Sequence, residues 1–122
     1  MPRGLKRGDV FMYPFPYQDK NRPVVILTGN LSIPLLTKVT VAPITTTWRG
    51  VPTEVPLDET DGMKAPCAVN LHNLMTVPQE HLGNWVTTLS PNRMAVICEA
   101  LRFAVDCDSK TTPLSSSSLI DA

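Results

Sequence analysis

The chain has 122 residues, 43% of them hydrophobic, with eleven basic and eleven acidic side chains and no net charge. That suffices for one domain with its own core and no disulfide staples. No apolar run approaches the roughly 20 residues that a membrane span needs, and the overall basic excess usual in nucleic-acid binders is missing. Twelve prolines spread along the chain argue against a helical protein. Gly8-Asp9 opens a first strand over residues 10–15, with Phe11, Tyr13 and Phe15 on one face and Val10 and Met12 on the other. Residues 16–21 read as a polar turn. Residues 23–27 form a continuous apolar run, a strand buried on both faces. A loop over residues 29–34 follows, then an alternating third strand over residues 38–44. Pro43 inside it implies an edge or a bulge near the strand end.

Residues 45–50 are a polar turn carrying Trp48 and Arg49, and residues 53–57 alternate again with Val55 and Leu57 apolar. After a charged loop at 58–66, residues 68–77 read as one longer strand with a bulge near Asn73. Residues 82–89 form another strand, with Trp85 as its large apolar contributor. Ser90-Pro91 is a helix start: serine caps and proline suits the first helical position. Met94, Ile97, Cys98, Leu101 and Val105 then share one face, with Val96, Ala100 and Phe103 off it, so cover is expected from the sheet and from a second subunit. The serine-rich segment from Lys110 is low in complexity and expected to be disordered. The sum is a mainly β domain over residues 1–108, a small, strongly curved antiparallel sheet or partly open barrel with a C-terminal helix, and a tail over residues 109–122.

The basic start, residues 1–7, has no apolar stretch after it and does not read as a signal peptide. Cys67, Cys98 and Cys107 have no spacing suited to zinc and read as reduced thiols of a cytoplasmic protein, Cys98 as a core residue. No metal or cofactor is expected. Charge is unevenly split. Residues 1–49 carry seven basic side chains against two acidic ones, and residues 50–122 carry four against nine. Such a dipole is compatible with a local anion-binding face.

That basic half holds Lys20-Asn21-Arg22-Pro23-Val24-Val25-Ile26-Leu27 and Val39-Thr40-Val41-Ala42-Pro43-Ile44-Thr45-Thr46-Thr47. Arginine offers a planar, permanently charged fork that matches phosphate oxygens. Threonine offers a hydroxyl on a stiff stem. An arginine at the mouth of one strand and a threonine cluster at the exit of the next can clamp a phosphodiester. Trp48 can stack a base, and Arg49 can contact a phosphate. Thr46 and Thr47 are either contacts to that ligand or turn formers. His72 and His81 offer the alternative of an acid–base pair.

Over residues 6–106 the chain resembles the MazF/PemK family of toxin endoribonucleases. The resemblance rests on Lys6-Arg7-Gly8-Asp9-Val10-Phe11, Arg22-Pro23-Val24-Val25-Ile26, Ala42-Pro43-Ile44-Thr45, the late strand from Val69 to Val77 and the final helix. It implies an SH3-like barrel of the MazF/CcdB kind that acts as a homodimer, needs no metal, cleaves single-stranded RNA and is neutralised by a cognate antitoxin. It implies Arg22 and Thr45 as the catalytic pair; beside them Asn21, Thr46, Thr47, Trp48, Arg49 and Asn73 are read as the candidate RNA contacts. Two departures bear on sequence specificity more than on chemistry. The loop over residues 17–21 is shorter than usual, and Asn73 and Met75 stand where the family carries glutamine and arginine. The alternatives are a non-enzymatic toxin similar to CcdB, which acts by binding DNA gyrase, and an inactive nucleic-acid module; neither needs the Arg22–Thr45 pair.

Overall fold

Alternation in residues 9–15 and the apolar run after Arg22 become the first antiparallel hairpin, β1 (Asp9–Phe15) and β2 (Lys20–Ile26). The computed structural model describes residues 4–16 and 20–106. Cys107, the tail at 109–122 and most of the first loop lie outside the described residues. β2 begins at Lys20, so the polar turn expected to reach Asn21 is shorter: Phe15 already pairs with Lys20.

β3 (Lys38–Thr45) lies against β2 in the register Val24–Pro43, Val25–Ala42 and Ile26–Val41. On its other edge it has two partners in succession. Lys38–Val41 pairs with β6 (Met75–Pro78), and Ile44 and Thr45 pair with β5 (Cys67–Asn70). Pro43 sits in the gap between those two ladders. It is therefore no edge-strand residue: β3 is central, and proline occupies the place where that edge changes partner.

The same change of partner corrects the long strand expected over residues 68–77. It is two strands, β5 and β6, joined by a turn that contains Leu71 and Asn73. β4 (Glu54–Leu57) pairs with β5, and β7 (Trp85–Thr88) pairs with β1 across a register shift between Val10 and Phe11. The sheet runs β4-β5-β3-β2-β1-β7, with β6 branching from β3. It is a curled antiparallel half-barrel with one C-terminal helix, α1 (Pro91–Val105).

Both faces of the sheet are buried, and side-chain alternation divides them. Val10, Val25, Ala42 and Ile44 join Val55, Leu57, Val69 and the helix residues Ile97 and Ala100. Their neighbours Phe11, Tyr13, Val24, Ile26, Val39 and Val41 join Val77 and Leu82 on the other face. Trp85, read as the large apolar contributor of its strand, is 45% exposed; its indole N–H donates to Thr88 Oγ1 at 3.1 Å.

Helix α1 starts as expected, with Ser90 Oγ accepting from the Arg93 N–H at 3.1 Å and Pro91 in the first turn. Its buried stripe is rotated from the one expected. Ile97 and Ala100 are buried, Met94, Cys98, Leu101 and Ala104 are partly covered, and Val105 is exposed. Val96 and Phe103 remain exposed. No helix among the described residues is long and apolar enough to cross a membrane.

The loop after β4 docks that helix. Asp58 caps a short 3-10 turn, Glu59–Asp61, and Asp61 Oδ1 accepts from Arg93 Nε at 3.1 Å. Gly62 ends the turn at φ +92°, and a Cβ there would lie 2.3 Å from Thr87 Oγ1 and 2.8 Å from Thr87 Cβ. Only glycine fits. Gly62→Ala should destabilise the protein by about 1–3 kcal/mol through backbone strain and this clash. Thermal unfolding should show a lowered Tm, and adding Thr87→Ala should recover part of the loss. An unchanged Tm would show that this loop does not hold the helix.

Candidate functional site

The register that sets Val24 against Pro43 sets Arg22 against Thr45 when continued by two residues toward the strand ends. Alternation then puts both on the face of Val24. Two strands whose apolar centres are locked in the core thus present a guanidinium and a hydroxyl side by side at one rim of the sheet. On β1, Tyr13 pairs with Arg22.

Arg22 and Thr45 both line a cavity of about 1000 Å³ with Tyr13, Phe15, Thr47, Asn70, His72 and Asn73. They also line a smaller one, about 390 Å³, with Lys20, Asn21, Thr46, Met63, Lys64 and Cys67. The pair stands where the two hollows meet. Of the expected contacts, Thr47 and Asn73 face the larger cavity and Asn21 and Thr46 the smaller. Trp48 and Arg49 line neither, nor does His81, so the two histidines do not form a pair there.

Thr45 is held in its own turn. Its Oγ1 accepts from the Thr47 N–H and donates to the Thr47 carbonyl, both at 3.1 Å. Thr47 is therefore turn former and cavity lining at once. The following loop is fixed by a residue that the sequence reading missed. Glu54 Oε1 accepts the backbone N–H groups of Arg49 (3.0 Å), Gly50 (2.8 Å) and Val51 (3.2 Å). Desolvation works against the charged carboxylate, but these three donors, aided by the charge of His72, outweigh it and hold Glu54 below its ordinary range. A glutamate four residues after a Gly in a polar turn is the signal, legible only once the loop is seen to fold back.

Tyr13 and Phe15 of the larger cavity were also missed as site residues. Tyr13 and Phe15 form a wall, their rings 5.1 Å apart and edge to face at 82°. Their alternation was visible in the sequence; the pairing of Tyr13 with Arg22 was not. His72 sits in the β5–β6 turn, its N–H donating to Asn70 Oδ1 at 3.1 Å and its Nδ1 hydrogen-bonded to Thr53 Oγ1. Cys67 is no candidate nucleophile. Burial pushes its thiol up, and Asp61, Asp58 and Glu59 add to the effect. Cys98, half-buried on α1, accepts from Arg7 Nη2 at 2.8 Å. Among the described residues no cluster of three potential ligands could hold a metal.

The family model described as PemK-like, MazF-like toxin of type II toxin-antitoxin system matches residues 6–105. Endoribonuclease MazF3 of Mycobacterium tuberculosis is 46% identical over 90 residues, 74% of this chain and 87% of that protein. The solved structure of the Mycobacterium tuberculosis toxin MazF-mt6 superposes with a TM-score of 0.74 at 41% identity, covering 82% of this chain and 98% of that one. A mycobacterial endoribonuclease solved in complex with its cognate antitoxin gives a TM-score of 0.78 at 27% identity, covering 86% and 98%.

The Glu54 contacts make a pH prediction. A carboxylate whose folded pKa is depressed stabilises the loop above its unfolded pKa, and that contribution is lost as pH falls through the folded value. The amide NMR shifts of Arg49, Gly50 and Val51 should therefore titrate together, with a midpoint below that of an ordinary glutamate. Glu54→Ala should abolish the shared titration and leave the sheet intact. Three unrelated midpoints, or a shared one above the ordinary value, would contradict the loop geometry.

Proposed function

The chain belongs to the family of PemK-like, MazF-like toxins of type II toxin-antitoxin systems, and from that premise we propose that it is an endoribonuclease that cuts single-stranded RNA at specific sequences without a metal ion. The observation that carries the reading is the continued register of Arg22 and Thr45 at the junction of two cavities. The curated relative named an endoribonuclease supports it.

RNA brings its own nucleophile, the 2′-OH. Attack on the adjacent phosphate builds negative charge on the non-bridging oxygens, and donors fixed there beforehand lower the barrier. Arg22 supplies two parallel N–H donors and a full charge. Thr45 supplies one donor on a rigid stem. The products are a 2′,3′-cyclic phosphate and a 5′-OH end. Tyr13 and Phe15 offer the bases an aromatic wall. Asn21, Thr46, Thr47 and Asn73 line the path of the strand, and Trp48 and Arg49 flank it on the loop that Glu54 holds. Its place of work is the cytoplasm and its working form a homodimer, to which the exposed Val96 and Phe103 of α1 offer apolar surface.

With excess chelator the protein should cleave single-stranded RNA and spare DNA, and one 2′-deoxy substitution at the cut site should block cleavage. Arg22→Ala should lower the rate about 10³-fold, in the range of transition-state arginines, and Thr45→Ala about 10²-fold, as for one oxyanion donor. Arg22→Lys should rescue only in part, since a point charge lacks the fork. Strict magnesium dependence, or cleavage of the deoxy substrate, would overturn the mechanism. A CcdB-like binder would cut nothing.

An antitoxin is the natural regulator, and the relative solved with its cognate antitoxin supports that role. An acidic segment drawn to the basic half would overlap the RNA path. RNA and antitoxin should compete and both should weaken as salt rises. The antitoxin should weaken less, because it can also bury apolar side chains. Equilibrium titrations at two salt concentrations check this; a fully active ternary complex would exclude it.

A further inference from the structure

The chemistry proposed above leaves one proton without a carrier. Neither an arginine nor a threonine readily removes a proton from a 2′-OH near neutral pH. Among the described residues, the titratable side chains that line the larger cavity are Tyr13, Arg22 and His72. Tyrosine and arginine ordinarily hold their protons at neutral pH. Histidine is the residue whose ordinary titration falls between about pH 5 and 8.

Resting on the endoribonuclease reading, we propose that His72 is the general base of the reaction, a third catalytic residue beside Arg22 and Thr45. Its ring is oriented rather than loose. Nδ1 is engaged by Thr53 Oγ1, and the backbone N–H is tied to Asn70. The turn is itself anchored to the chain just before β4, because the Leu71 N–H donates to the Thr53 carbonyl at 2.8 Å. Among the described residues Nε2 has no hydrogen-bond partner, so it is left for substrate.

The charged and titratable groups around the ring are few. Glu54 on β4 lies close enough for the two charges to interact. Arg22 on β2 and Tyr13 on β1 share the cavity. Arg49 enters the set through its backbone N–H to Glu54. With the ring protonated, the Nδ1–H donates to the Thr53 hydroxyl.

The 2′-OH proton passes to Nε2. The freed oxygen pair forms the new bond to phosphorus, while the bond from phosphorus to the 5′ oxygen breaks and its pair leaves on that oxygen. Water protonates the leaving oxygen, and the imidazolium returns its proton to solvent. Arg22 and Thr45 hold the non-bridging charge throughout.

The test is a pH–rate profile of single-turnover cleavage by the full chain. Wild type should gain rate with rising pH through the histidine range and then level off. His72→Ala should lose about 10²-fold at the plateau, the low end for general acid–base catalysis. It should also lose the histidine limb and recover in part with added imidazole. His81→Ala should behave as wild type. A substrate with sulfur at the 5′ leaving position needs no protonation of its leaving group, and His72→Ala should stay equally slow on it. A defect that vanished on that substrate would make His72 an acid and overturn its role as base. An unchanged profile in His72→Ala, with wild type still cutting RNA, would remove His72 and leave the endoribonuclease reading standing. A wild type that cuts no RNA would end that reading instead.

Discussion

The molecule depends on how one strand distributes its backbone hydrogen bonds. β3 gives one edge to β2 and divides the other between β6 and β5. A strand that changes partner halfway must let the two partners diverge. The sheet therefore curls, and its two faces become two separate cores. Pro43 lies where the partners change, at a place where a missing N–H costs little. The same geometry opens the hollow that β5, β6 and their turn share with the end of β2. The strand pairing that stabilises the sheet also brings Arg22 and Thr45 to one rim.

The start of the chain has a structural rather than a chemical role. Asp9 is fully buried, and its carboxylate accepts from the Lys6 N–H at 3.0 Å and the Thr88 hydroxyl at 2.6 Å. Gly8, at φ +93°, turns the chain so that its own N–H meets the Ile26 carbonyl and its carbonyl meets the Leu89 N–H. Arg7 reaches the Leu27 carbonyl and Cys98 on α1. Three consecutive residues thus fasten β2, β7 and the helix to one another. A buried carboxyl group of this kind is tolerated because hydrogen bonds replace its hydration.

What the sequence made legible follows from the range of each interaction. Helix α1 was readable to its first residue, because a serine cap and a proline in the first turn are local devices. The apolar strands were readable because alternation is a local pattern. Arg22 and Thr45 were singled out by their chemistry and by resemblance to a family, and their neighbouring positions are a matter of register. Trp85 was misplaced because strand periodicity does not tell which end of a strand lies at the rim. Residues 68–77 looked like one strand because their apolar spacing does not report that β3 has two partners to accommodate. Glu54 and His72 depend on a loop folding back and on a turn between strands of different ladders.

In the proposed reaction the two residues at the rim would meet RNA in different ways. Thr45 already spends its hydroxyl proton on the Thr47 carbonyl and receives the Thr47 N–H in return. Donating to a phosphate oxygen exchanges one bond for another, and such exchanges yield little net free energy. The gain arises only as negative charge builds on the phosphate and makes the new bond the stronger of the two. Arg22 is also already engaged, and what sets it apart is the kind of donor it brings. Its charge is permanent, its fork matches two oxygens at once, and its half-buried position limits screening by water. The guanidinium should therefore carry more of the transition-state stabilisation than the hydroxyl. In that reaction the turn that restrains Thr45 would hold its oxygen in place before substrate arrives.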